Sequence, residues 1–130
     1  MKPFPISASD DDLLRFIDGW AALLEREDYR SAFAYTDQDP AMEWTPEIIR
    51  KVIKEHGKRN PDQKVTVKGA PSDVAQRKEV TRTASGSGGL AGEIWYDLNI
   101  DGVVSDLTAT FDLVVDAEGL RVRLNDIHVM

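Results

Sequence analysis

The chain predicts one α+β domain in which three N-terminal helices pack on a curved, mainly antiparallel sheet. Three observations carry that expectation. Apolar residues alternate strictly over long runs between Glu93 and Met130, interrupted by two turn sequences. Before residue 57 they recur at spacings of three and four behind helix-start signals. At 130 residues the chain is long enough to bury one core without staples, and it has no cysteine for disulfides or thiolate metal sites.

The helices come first. Ser9 followed by Asp12 has capping-box spacing, with Asp10, Asp11 and Asp12 where the helix dipole favours negative charge. From there Leu13, Phe16, Ile17, Trp20, Leu23 and Leu24 make one apolar stripe to about Glu25. Asp28 caps a second, short helix with Tyr29, Ala32 and Phe33 inward, ending near Thr36. Asp37-Gln38-Asp39-Pro40 then reads as loop, because proline disfavours helix at the residue before it. Thr45-Pro46 starts the third helix with a capping hydroxyl and a proline that has no N–H to waste. Trp44 and Ile49 hold the staple positions across that cap, Ile49, Val52, Ile53 and His56 face inward, and Gly57 ends the helix.

The middle of the chain is less regular. Lys58 to Gln63 is a polar connection, Val65 and Val67 a short strand, and Ala70 to Gln76 either a loop or a helical turn. Glu79 to Ala84 is β-prone, and Gly86 to Gly92 is too rich in glycine for regular structure.

In the C-terminal meander Ile94, Tyr96, Leu98 and Ile100 form one buried face, with Trp95, Asp97 and Asn99 opposite. Asp101-Gly102 suits a type I′ turn, whose two central residues need positive φ. Leu107, Ala109, Phe111, Leu113 and Val115 continue the inward face to a second turn over Asp116 to Gly119. Leu120, Val122 and Leu124 follow, and then parity changes to Ile127 and Val129, so an extra residue at Asn125-Asp126 predicts a β-bulge.

The net charge of -7 argues against nucleic-acid binding, which needs clustered Lys and Arg. Glu93 to Glu118 holds seven carboxylates and no Lys or Arg. That run reads either as a solvated face protected from edge pairing or as an acidic docking surface for a basic partner. Met1 to Ile6 has no apolar run of signal-peptide length, and nothing approaches the roughly 20 apolar residues of a membrane span, so a cytoplasmic protein without membrane contact is expected.

Chemical motifs fail on context. Gly86-x-Gly88-x-x-Ala91 imitates a dinucleotide fingerprint but leads into a strand, where phosphate binding needs a helix N-terminus. Asp97-x-Asn99-x-Asp101-Gly102 imitates a calcium loop, yet its twelfth position is Thr108 and its flanks are strands. His56 and His128 share no metal-like spacing with each other or with a carboxylate. No cofactor, metal ligand or catalytic residue is assigned. Asp106 and Asp126 are candidates for the mouth of a pocket. Trp95 is the candidate contact anchor of an interaction surface shared with Asp97, Asn99 and Asp112, for a protein partner or a second copy in a homodimer.

The paired opening helices, Asp10 to Glu25 and Asp28 to Thr36, resemble those of the NTF2-like (cystatin-like) superfamily. The runs Tyr96-Asp97-Leu98-Asn99-Ile100-Asp101-Gly102, Ser105-Asp106-Leu107-Thr108 with Phe111, and Leu124-Asn125-Asp126-Ile127-His128-Val129 are similar to small bacterial domains of that type. The resemblance implies a cone of helices on a curved sheet. It also implies several functions: isomerases and dehydratases with an Asp/His or Tyr pocket, ligand binders, dimerising scaffolds, and immunity proteins against secreted toxins. Of these, a noncatalytic immunity-type or accessory protein acting through the acidic outer sheet face is the leading expectation. A small-molecule binder or enzyme using the cone's pocket is the alternative.

Overall fold

A computed structural model describes residues 1–58, 60–71, 75–83 and 89–129. Helix α1 spans Asp10–Glu25, α2 Tyr29–Tyr35 and α3 Pro46–Glu55. Six strands follow or intervene: β1 Asp37–Gln38, β2 Val65–Thr66, β3 Lys78–Arg82, β4 Leu90–Ile100, β5 Val103–Asp116 and β6 Gly119–Val129. The result is the expected α+β arrangement, with helices against a strongly curled mixed sheet.

Each helix starts where its signal stands. The Ser9 hydroxyl accepts from the Asp12 N–H while the Asp12 carboxylate accepts from the Ser9 N–H, so two otherwise unpaired donors are satisfied. Asp28 and Thr45 do the same for Ser31 and Ile48. From α1, Leu13, Ile17, Trp20, Ala21 and Leu24 are fully buried, and α3 adds Ile49 and Ile53. Trp20 meets Phe111 edge-on with centroids 5.1 Å apart, which fills the space between helices and sheet with two aromatic rings. Phe16 lies beside that core in a separate stack with Phe4 and Tyr35.

The strands run β1-β6-β5-β4, and the far edge of β4 is shared, with β3 along Gly92–Tyr96 and β2 along Asn99–Ile100. Asp101 and Gly102 both have positive φ, 50° and 79°, as the Asp-Gly turn requires. Pairing jumps from Thr110↔Asp126 to Phe111↔Leu124, leaving Asn125 as the extra residue, so the parity change is a bulge as expected. It keeps Ile127 buried, and the Trp44 indole N–H donates to the Asn125 carbonyl at 2.9 Å, tying the entry of α3 to the bulge.

Three features depart from the sequence reading. The end of the glycine-rich run, Leu90 to Gly92, is not irregular but opens β4, with Leu90 opposite Val114 and Gly92 paired to both Leu113 and Arg82, so neighbouring strands hold a backbone that its own composition does not. Asp37-Gln38 is not loop but a parallel edge strand against Arg123 and Leu124; its pairing comes from the neighbouring strand, not from its own composition. A second irregularity lies between Asp97↔Thr108 and Asn99↔Val104, where Ser105, Asp106 and Leu107 all oppose Leu98. The predicted strand at Glu79 to Ala84 is β3, Lys78–Arg82, and Ala84 lies outside the described residues, as do Gly86 and Gly88 of the dinucleotide imitation and positions 72–74. Among the described residues, no helix is long and apolar enough to cross a membrane.

Candidate functional site

A cleft of about 540 Å³ opens at the end of the sheet, between the C-terminus of α3 and the β4–β5 hairpin. One wall is His56 and Gly57, with Gln63 behind them; the other is the hairpin, with Ile100, Asp101, Val103, Val104, Ser105 and Asp106.

Both walls follow from local structure. Helix α3 ends because Gly57 takes φ 67°, a conformation unfavourable for residues with a side chain. The Gln63 amide then donates to the carbonyls of Ile53 and His56, both at 2.6 Å, satisfying acceptors that a helix end leaves over. Thus Gln63, expected in a polar connection, is a buried clamp that holds His56 in place. Across the cleft the Ser105 hydroxyl donates to the Leu98 carbonyl and accepts from the Leu107 N–H, fixing the irregular turn of β5. That turn swings Asp106 towards α3, where its Oδ1 lies 3.0 Å from His56 Nε2. The Asp106 side chain is still 65 % exposed, and Val103 beside it is 54 % exposed. Asp101 sits in the hairpin turn and accepts from the Lys64 N–H through Oδ1. The described lining therefore combines two carboxylates, one imidazole and an apolar strip, with no Lys or Arg among those residues.

Asp106 lines this cleft. Asp126 does not. The bulge at Asn125 turns Asp126 to the outer sheet face, where it lies opposite Thr110 and 3.0 Å from His128 Nδ1. The sequence reading also misses His56, because its partner is fifty positions away and no helical or hairpin spacing links them.

The expected interaction surface is altered by its surroundings. Asn99 is 1 % exposed: its amide N–H₂ donates to the Val67 carbonyl and to Gln76, so it supports the chain crossing above it and offers nothing to a partner. Alternation places a side chain on a face without saying what covers that face. Asp97 accepts from the Trp95 indole, the Thr108 hydroxyl and the Arg77 N–H. The Arg77 guanidinium lies over the Trp95 ring, 4.4 Å from its centroid, so the tryptophan is half-buried. Asp112 pairs with Arg123 at 2.9 Å, and Asp116 and Glu118 both pair with Arg121. The Arg121 bond and two backbone N–H groups hold the Asp116 carboxyl below the usual carboxylate range. A run without local cations is therefore answered by cations from the next strand.

Among the described residues, no three His, Cys, Asp or Glu side chains gather as a metal centre requires. No curated protein and no solved structure matches the chain. A family model does match over residues 21–130, from the middle of α1 to the end of β6. The chain belongs to that family, described as Domain of unknown function (DUF7668).

Proposed function

We propose that this chain is a noncatalytic protein-binding domain, of immunity or accessory type, whose binding surface is the cleft at the hairpin end of the sheet. One observation carries the reading: Asp101 and Asp106, which no Lys or Arg among the described residues pairs with, line one cleft with the exposed Val103, whereas Asp112 on the outer face and Asp116 and Glu118 at its β5–β6 end are matched by arginines, leaving Glu93 as the exposed carboxylate there. Contact surfaces favour an apolar centre with a polar rim, and unmatched charge selects the partner. The NTF2-like resemblance accords with such a role, since immunity proteins are among the functions it implies.

A second reading, a small-molecule binder or an enzyme of isomerase or dehydratase type, draws on the His56–Asp106 contact. An imidazole and a carboxylate 3.0 Å apart in a cleft of ligand size are a usable acid–base pair. It would have to work in this cleft, because Trp20 and Phe111 fill the interior between helices and sheet.

Affinity capture with three baits separates these ideas. Wild type, a cleft variant (Val103→Ser with Asp106→Lys) and an outer-face variant (Glu93→Lys with Trp95→Ala) are compared by quantitative mass spectrometry. The protein-binding reading expects a partner retained by wild type and the outer-face variant and lost by the cleft variant. Loss with the outer-face variant alone would return the surface to the Trp95 face, and equal retention by all three would exclude both.

A further inference from the structure

Resting on the reading above, we infer that the group the cleft takes is the cationic end of an extended side chain, Lys or Arg, carried by a basic segment of a second protein. Asp101 and Asp106 both belong to the hairpin wall. Each has one carboxylate oxygen engaged, by the Lys64 N–H and by His56 Nε2. Among the described residues, Oδ2 of each has no hydrogen-bonding or ionic partner. On the same wall Ile100, Val103 and Val104 supply the apolar surface that the methylene stem of a long basic side chain covers while its head stays with the charges.

Other occupants fit worse. An anion would enter against two carboxylates. A wholly apolar group would strip water from both of them with nothing in return, which burial of charge penalises heavily. A second copy of this chain carries the same net charge of -7. Moreover, six of its cations, Lys54, Arg77, Lys78, Arg82, Arg121 and Arg123, are already held by its own carboxylates. A partner rich in Lys or Arg supplies the missing charge, and the long-range field of the acidic protein speeds its approach.

The test uses one stem with three heads. The ¹H–¹⁵N spectrum of the full chain is titrated with n-pentylammonium, pentan-1-ol and pentanoate at low ionic strength. The expected result is that pentylammonium moves the amides of His56 and of Ile100 to Asp106 at lower concentration than the other two. The double variant Asp101→Asn, Asp106→Asn should then bind it at least tenfold more weakly. Asparagine keeps the acceptor for the Lys64 N–H and tolerates the positive φ of the turn; should the double variant fail to fold, Asp106→Asn alone, at an exposed position, serves with a threefold criterion.

If pentanol or pentanoate binds the cleft as tightly as the cation, or the variant keeps full affinity, the cationic inference fails while the cleft survives as a binding surface. If none of the three probes moves the cleft amides, both fail.

Discussion

Deleting Asn125 tests what the bulge residue contributes to the C-terminal strand. The bulge lets Leu124 and Ile127 both face the core with two residues between them. Without Asn125, Asp126 is the single residue between them, strict alternation keeps both inward, and Phe111↔Leu124 and Thr110↔Asp126 become successive pairs. What is lost is the acceptor of the Trp44 indole N–H, and a buried donor left unpaired costs about 1–3 kcal/mol. That corresponds to about 4–11 °C in Tm for a chain of this length. Urea and thermal unfolding followed by circular dichroism measure it. Asn125→Ala is the control: it keeps the bulge and removes only a long contact with Thr110, at 3.4 Å, so it should cost under about 1 kcal/mol. A deletion no more harmful than the alanine variant would refute the argument.

Three further outcomes are expected. Gln63→Ala strands the carbonyls of Ile53 and His56 and should cost about 2–3 kcal/mol in urea unfolding, with loss of the fixed His56 position visible in its NMR shifts. Gly19→Ala, which in an ordinary helix interior stabilises by about 1 kcal/mol, should instead destabilise by about 1 kcal/mol, because its Cβ would overlap the hydroxyl of Tyr35, whose ring is held against Phe16; adding Tyr35→Phe should recover the loss. Burial raises the pKa of Tyr29, Tyr35 and Tyr96 above the ordinary phenol value, and for Tyr96 the bond to Asp18 adds to it. The unfolded chain ionises first, near pH 10, so the stability from these neutral hydroxyls is complete below that pH and falls as pH rises through the folded values. Absorbance at 295 nm should therefore show tyrosinate forming at higher pH in the native protein than in denaturant, and coincident curves would contradict the buried placement.

How far the sequence could be read depended on the range of each signal. The capping box at Ser9, the Thr45-Pro46 start, the Asp-Gly turn and the Asn125 bulge are decided within a few residues of themselves, and each lies where its chemistry required. Asp37-Gln38 was unreadable because a two-residue edge strand is defined by its partner β6. The same limit governs the site. Alternation assigned Asp112 and Asn99 to the outer face, but only strand register brings Arg123 onto the one, and only the crossing of Val67 and Gln76 buries the other. The contact of Asp106 with His56 depends on a three-residue irregularity in β5 that no pattern of alternation announced.

Asp101 and Asp106 concentrate negative charge at the hairpin-end cleft that no described Lys or Arg answers, whereas on the Trp95 face Asp112 is paired with Arg123, Asp97 is enclosed by its own hydrogen bonds and Glu93 is the exposed carboxylate left over. Paramagnetic relaxation of amide protons by a cationic and an anionic nitroxide, compared residue by residue, reads local potential directly. The excess of cationic over anionic relaxation should be greatest from Ile100 to Asp106. An excess greatest around Trp95 and Asp112 would contradict the account.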